Sequence, residues 1–130
     1  MWLLEDNLFY QEELKKQRDK IYDSLNYAKI IQESILPDVN IFQEFFESQF
    51  FLYKPKDIVS GDFYWASKKE DQLFFALCDC TGHGVPGSLL SMIGYDALNY
   101  INSLNSTNGG AIFMNKLNDF FIQSRFFKCN

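Results

Sequence analysis

Histidine occurs once in the 130 residues, at His83, and cysteine three times, at Cys78, Cys80 and Cys129. A single histidine excludes a histidine-to-histidine metal pair or proton shuttle within one copy. Three cysteines and no secretory segment do not make a disulfide framework, and they fit a reducing cytoplasm. No uninterrupted apolar run approaches the ~20 residues of a membrane-spanning helix. Repeats, low-complexity tracts and basic patches are also absent, and the net charge of −5 argues against bulk nucleic-acid binding. What is abundant is apolar: 47% of residues are hydrophobic and 18% aromatic, which excludes disorder.

Residues 1–36 read as one long helix that stops at Pro37, and 37–130 as a domain of about 90 residues, small but large enough for a core. Leu14, Ile21, Ala28 and Ile35 recur every seven residues, with Tyr10 and Ile31 at the companion d position and Gln17 and Ser24 interrupting it. This imperfect heptad has two readings: a helix packed on its own domain, or a coil that dimerises and passes a signal. Farther on, Gln49 to Tyr53 is expected to form a first strand. Gly84 to Leu104 is expected to be a helix with Val85, Leu89, Met92, Ile93 and Ala97 on one face, Pro86 being acceptable in its first turn. Ser103 to Gly110 reads as a polar loop, and Ala111 to Ile122 as a second helix with Phe113, Leu117, Phe120 and Phe121 at helical spacing. The Phe-rich end, Phe120 to Phe127, would expose apolar surface unless something covers it.

The chemistry concentrates between these helices. Gln72 to Cys78 is an apolar run too short for a typical helix and reads as a buried strand; Asp62 to Ala66 is the strand before it. Ser67 to Asp71 is short and polar, as in the turn of an antiparallel hairpin. A turn centred near Glu70 and Asp71 puts Asp62 opposite Asp79, on one face, with Cβ atoms about 4.5–5.5 Å apart. A slip of one residue would turn one carboxylate away. Two convergent carboxylates suit a hard cation such as Mg²⁺ or Mn²⁺. The plainer reading makes Asp62 a turn residue and Asp79 the cap of the next helix.

The wider motif, Lys54-Pro55-Lys56-Asp57-Ile58-Val59-Ser60-Gly61-Asp62-Phe63-Tyr64-Trp65 followed by Asp79-Cys80-Thr81-Gly82-His83-Gly84-Val85-Pro86-Gly87, resembles the start of the SpoIIE-like, RsbU-like branch of PPM-type metal-dependent serine/threonine phosphatases. Ile31-Gln32-Glu33-Ser34-Ile35-Leu36-Pro37 resembles the end of the helix leading into that domain. The resemblance implies an α+β fold, a long N-terminal helix followed by the first part of an α-β-β-α sandwich. It implies roles as metal ligands for Asp62, Asp79 and the backbone carbonyl of Cys80, with Mn²⁺ or Mg²⁺ as cofactor and two ions in the full family domain. The implied reaction is hydrolysis of phosphoserine or phosphothreonine by a metal-bridging water. The implied partner is a phosphorylated regulator of the anti-sigma-factor antagonist type. Lys56 is a candidate phosphate contact, acting as a point charge. The family's domain continues through further strands carrying more metal-binding aspartates. After Asp79 this chain has only Asp96 and Asp119 as acidic residues, neither in the expected motif. The chain therefore reads as the front part of a phosphatase, and a non-catalytic module that dimerises and binds a signalling partner is the rival from another class.

Two other patterns share these residues. Gly82 to Gly87 spells G-x-G-x-x-G, but Asp79 would stand near a bound pyrophosphate and no acidic residue lies where a ribose partner is needed. Cys78, Cys80, His83 and Cys129 outline a zinc cluster of poor spacing.

Overall fold

The long helix is α1, Trp2–Ile35, in a computed structural model that describes residues 2–104 and 109–124, with side chains from residue 7 onward. It ends where Pro37 forbids its continuation: the proline lacks an N–H and forces Leu36 out of the helical region. Leu14, Ile21 and Ile30 are exposed, whereas Leu25, Ala28, Gln32 and Ile35 are partly or fully buried. The stripe that points into solvent over the first turns thus meets the protein body only over the last three.

A 3₁₀ helix, Val39–Glu44, follows, started by Asp38, whose carboxylate accepts the Asn40 N–H at 2.9 Å. The strand expected at Gln49 to Tyr53 is not formed. Its alternation is nevertheless real. Phe51 packs edge-on against Tyr64 at 4.5 Å between ring centroids and Tyr53 does so at 5.8 Å, while Phe50 and Leu52 face outward, 90% and 79% exposed. Period-two patterning reports which side chains find cover. A strand also needs a neighbour for its main-chain groups, and none is paired with this segment.

The hairpin consists of β1, Phe63–Lys69, and β2, Gln72–Cys78, paired antiparallel from Phe63↔Cys78 to Lys69↔Gln72. The first strand starts one residue later than expected and runs through Ser67, Lys68 and Lys69, so only Glu70 and Asp71 make the turn. Glu70 takes φ 52°, the left-handed conformation that a two-residue hairpin turn demands. One face of the hairpin carries Phe63 and Trp65 into the core; the other carries Tyr64, Phe75 and Leu77 outward.

Helices α2, Gly84–Ser103, and α3, Gly110–Gln123, cover the inner face. Phe63, Trp65, Leu98, Ile101 and Phe113 form the core, with Leu117 and Phe120 packed at its edge. Burying a side chain such as Phe63 contributes about 1.5–3 kcal/mol. Trp65 Nε1 donates to Asn99 Oδ1 at 2.8 Å, so the indole is buried without an orphaned N–H.

The buried face of α2 is not the one its large residues mark. Val85, Leu89 and Ile93 are exposed, and Gly87, Ser88, Ser91, Gly94, Ala97 and Leu98 are buried. The reason is proximity: a Cβ on Gly94 would lie 3.1 Å from the Phe63 ring, and one on Gly87 would lie 2.7 Å from the Gly82 carbonyl oxygen. Small residues let α2 approach the hairpin to a distance that bulky ones would prevent. Residues 105–108 of the expected polar loop, residues 125–127 of the Phe-rich end, and Cys129 lie outside the described residues.

Candidate metal centre

One step beyond the last ladder pair, Phe63↔Cys78, the register sets Asp62 opposite Asp79, and one step further sets Gly61 opposite Cys80. The Cys80 N–H continues the ladder to the Gly61 carbonyl at 3.4 Å. Both carboxylates stand at the open end of the hairpin on the outer face, and both line a groove of about 650 Å³ with Tyr53, Lys54, Tyr64 and Leu77. Desolvation first, and then the hydrogen bond and charge of Asp79, push the exposed Asp62 carboxyl above its ordinary value.

A hydrogen-bond network around Gln32 and Ser60 holds the segment that carries Asp62. Gln32, from the last turn of α1 and only 4% exposed, donates through Nε2 to the Ser60 carbonyl at 2.6 Å and to Ser91 Oγ on α2 at 2.7 Å. Its Oε1 accepts the Ser60 N–H at 2.9 Å, so the one amide satisfies both main-chain groups of that residue. Ser60 Oγ in turn accepts the Asp62 N–H at 3.0 Å. Tight glycine packing completes the arrangement: a Cβ on Gly61 would meet the carbonyl oxygens of Cys80 and Gly82, each at 2.9 Å. Gly82 and Gly84 adopt φ 94° and 62°, which the turn from β2 into α2 requires and which other residues rarely adopt.

The remaining candidates fall as follows. The Cys80 carbonyl faces Gly61 at the edge of the centre. Lys54 lines the groove beside the carboxylates; Lys56 is exposed and outside its lining. His83 is the N-cap residue of α2 but makes no side-chain cap; its Nδ1 lies 2.9 Å from Asp57 Oδ2, and Asp79 is therefore not the cap of that helix. Cys78 and Cys80 are free thiols; burial and then the neighbouring Cys80 push Cys78 up to about 11, and burial with Asp79 and Asp62 raises Cys80. Among the described residues no three of His, Cys, Asp and Glu cluster closely enough to hold a metal. The donor chemistry of Asp62 and Asp79 still fits a hard cation, as two oxygen donors with unneutralised charge, and supplies part of a coordination shell.

Gln32 was not singled out from the sequence. Its signal was present, as a polar residue four after Ala28 and seven after Leu25 on the stripe that packs against the body. Nothing in the sequence names its partners, because Ser60 lies 28 residues away and Ser91 lies 59 away.

A long helix, an antiparallel hairpin and two helices packed on one face of it make the α+β arrangement expected for the first part of a PPM-type domain. In agreement, the solved structure of the SiaA-PP2C domain of Pseudomonas aeruginosa is similar to this chain, with a TM-score of 0.71 and 36% sequence identity over 79% of this chain and 42% of that one. No family model and no curated protein matches. The chain carries part of a PPM-type phosphatase domain, spanning less than half the length of the domain it matches.

Proposed function

We propose that this chain is the front portion of a metal-dependent phosphoserine/phosphothreonine phosphatase of signal transduction, in which Asp62, Asp79 and the Cys80 carbonyl hold Mn²⁺ or Mg²⁺. The observation that carries the reading is the hairpin register, which sets the two carboxylates opposite each other at the mouth of the groove. Bound cations would supply charge neutralisation at the phosphoryl group and an acidified water. The protein's own part is positional. Gln32 and Ser60 fix the main chain that carries Asp62, and Lys54, with Lys56 beyond it, offers positive charge for a substrate phosphate. By analogy with the family resembled, the substrate is a small phosphorylated regulator of the anti-sigma-factor antagonist type, in the cytoplasm. No helix among the described residues is long and apolar enough to cross a membrane.

Manganese-dependent release of phosphate from a phosphoserine protein, lost in Asp79→Asn, tests this assignment. A second reading is favoured by the exposed stripe on α1: a homodimer through that helix, acting as a non-catalytic module that binds a signalling partner. Metal-independent partner binding with no turnover would support that reading instead.

A further inference from the structure

Asp62 stands one residue before β1, between the Phe63↔Cys78 pair and the bond from the Cys80 N–H to the Gly61 carbonyl, so its own main-chain groups point away from β2. Its N–H is held locally, by Ser60 Oγ at 3.0 Å. Its carbonyl is held from elsewhere: Tyr53 Oη donates to it at 2.9 Å from the irregular segment nine residues earlier. The Tyr53 ring packs edge-on against Tyr64, on the same face of the hairpin as Asp62. A phenylalanine would keep that ring contact, as Phe51 does against the same tyrosine. The oxygen at position 53 therefore has a separate role, and its partners are the Asp62 carbonyl and the Ser60 side chain, both in the segment that carries the carboxylate.

We propose that Tyr53 is a positioning residue of the metal centre, its phenol fixing the peptide plane from which the Asp62 carboxylate is aimed across at Asp79. This rests on the reading of Asp62 and Asp79 as metal ligands. The peptide joining Asp62 to Phe63 is anchored at one end by Tyr53 and at the other by the first ladder pair. The carboxylate is two rotatable bonds, Cα–Cβ and Cβ–Cγ, from that plane, so anchoring the plane fixes where Cβ points and narrows the directions the carboxylate can take; released, it samples more directions that do not converge with Asp79. Outer partners of this kind change metal affinity 10–100-fold when removed.

The test is a Mn²⁺ titration of the full chain followed by the electron paramagnetic resonance signal of the free ion, for the wild type, Tyr53→Phe and the remote control Tyr27→Phe, with thermal midpoints measured without metal. The expected result is affinity about tenfold weaker in Tyr53→Phe alone, at a nearly unchanged metal-free midpoint. Equal uptake by the wild type and Tyr53→Phe overturns the proposal and leaves the metal reading standing. A lowered midpoint with unchanged affinity makes Tyr53 a packing residue only and likewise overturns it. No uptake by the wild type removes the metal reading for this chain, and overturns the proposal with it.

Discussion

Replacing Gln32 by methionine keeps the volume of the side chain and removes its hydrogen bonds, and so isolates what the amide contributes. Three bonds are lost, at 2.6, 2.7 and 2.9 Å. Ser91 Oγ keeps a partner, since it also donates to the Ser88 carbonyl at 2.7 Å. The Ser60 N–H and carbonyl keep none, and Ser60 is itself buried. An orphaned buried polar group costs about 1–3 kcal/mol, so two of them cost roughly 2–6 kcal/mol. Gln32→Ala adds a cavity on top of the same losses, or admits a water that restores part of them. Urea denaturation followed by circular dichroism measures both variants; the midpoint is expected to fall without a change in slope. A loss under about 1 kcal/mol in Gln32→Met would refute the claim that this amide ties α1 to the Asp62 segment.

Three further expectations follow from packing, charge and exposure. Gly87→Ala gains helix propensity of up to about 1 kcal/mol but sets a Cβ 2.7 Å from the Gly82 carbonyl oxygen, so a net loss of about 1–3 kcal/mol is expected in thermal unfolding. A gain would show that α2 does not approach the turn as closely as described. Because the Asp62 carboxyl is raised in the folded metal-free chain, the folded state holds that proton more tightly than the unfolded one. Asp62 therefore lowers stability as pH rises from the ordinary carboxylate range through its raised value, and not below it. Asp62→Asn should be more stable than wild type near neutrality, by less than ~1 kcal/mol given the exposure of the pair, and equal to it below about pH 4. Urea midpoints from pH 3 to 7 measure this, and a variant advantage that grows toward acid would contradict the sign. If α1 forms a dimeric coil, Leu14→Glu should weaken association on the order of 100-fold in sedimentation equilibrium by removing a buried leucine from each strand. A wild-type chain that stays monomeric at high concentration would remove that reading.

The sequence by itself determined the helices, the hairpin and its register, because each depends on residues near one another along the chain. Pro37 stops α1 wherever the body lies, and a turn centred on Glu70 and Asp71 pairs Phe63 with Cys78 and so sets Asp62 opposite Asp79. Asp62 and Asp79 meet for that reason, and the chain foretold it. Only the tertiary structure decided what surrounds them. Whether Gln49 to Tyr53 became a strand depended on a neighbour with free main-chain groups, which alternation cannot reveal. The face α2 buries depended on how near Phe63 and Gly82 come, and at that distance absence of a side chain outweighs hydrophobicity. Gln32, Ser60 and Tyr53 acquire their partners only when the end of α1 and the segment before β1 are brought together in space, since a hydrogen bond across such separations leaves no periodicity along the chain.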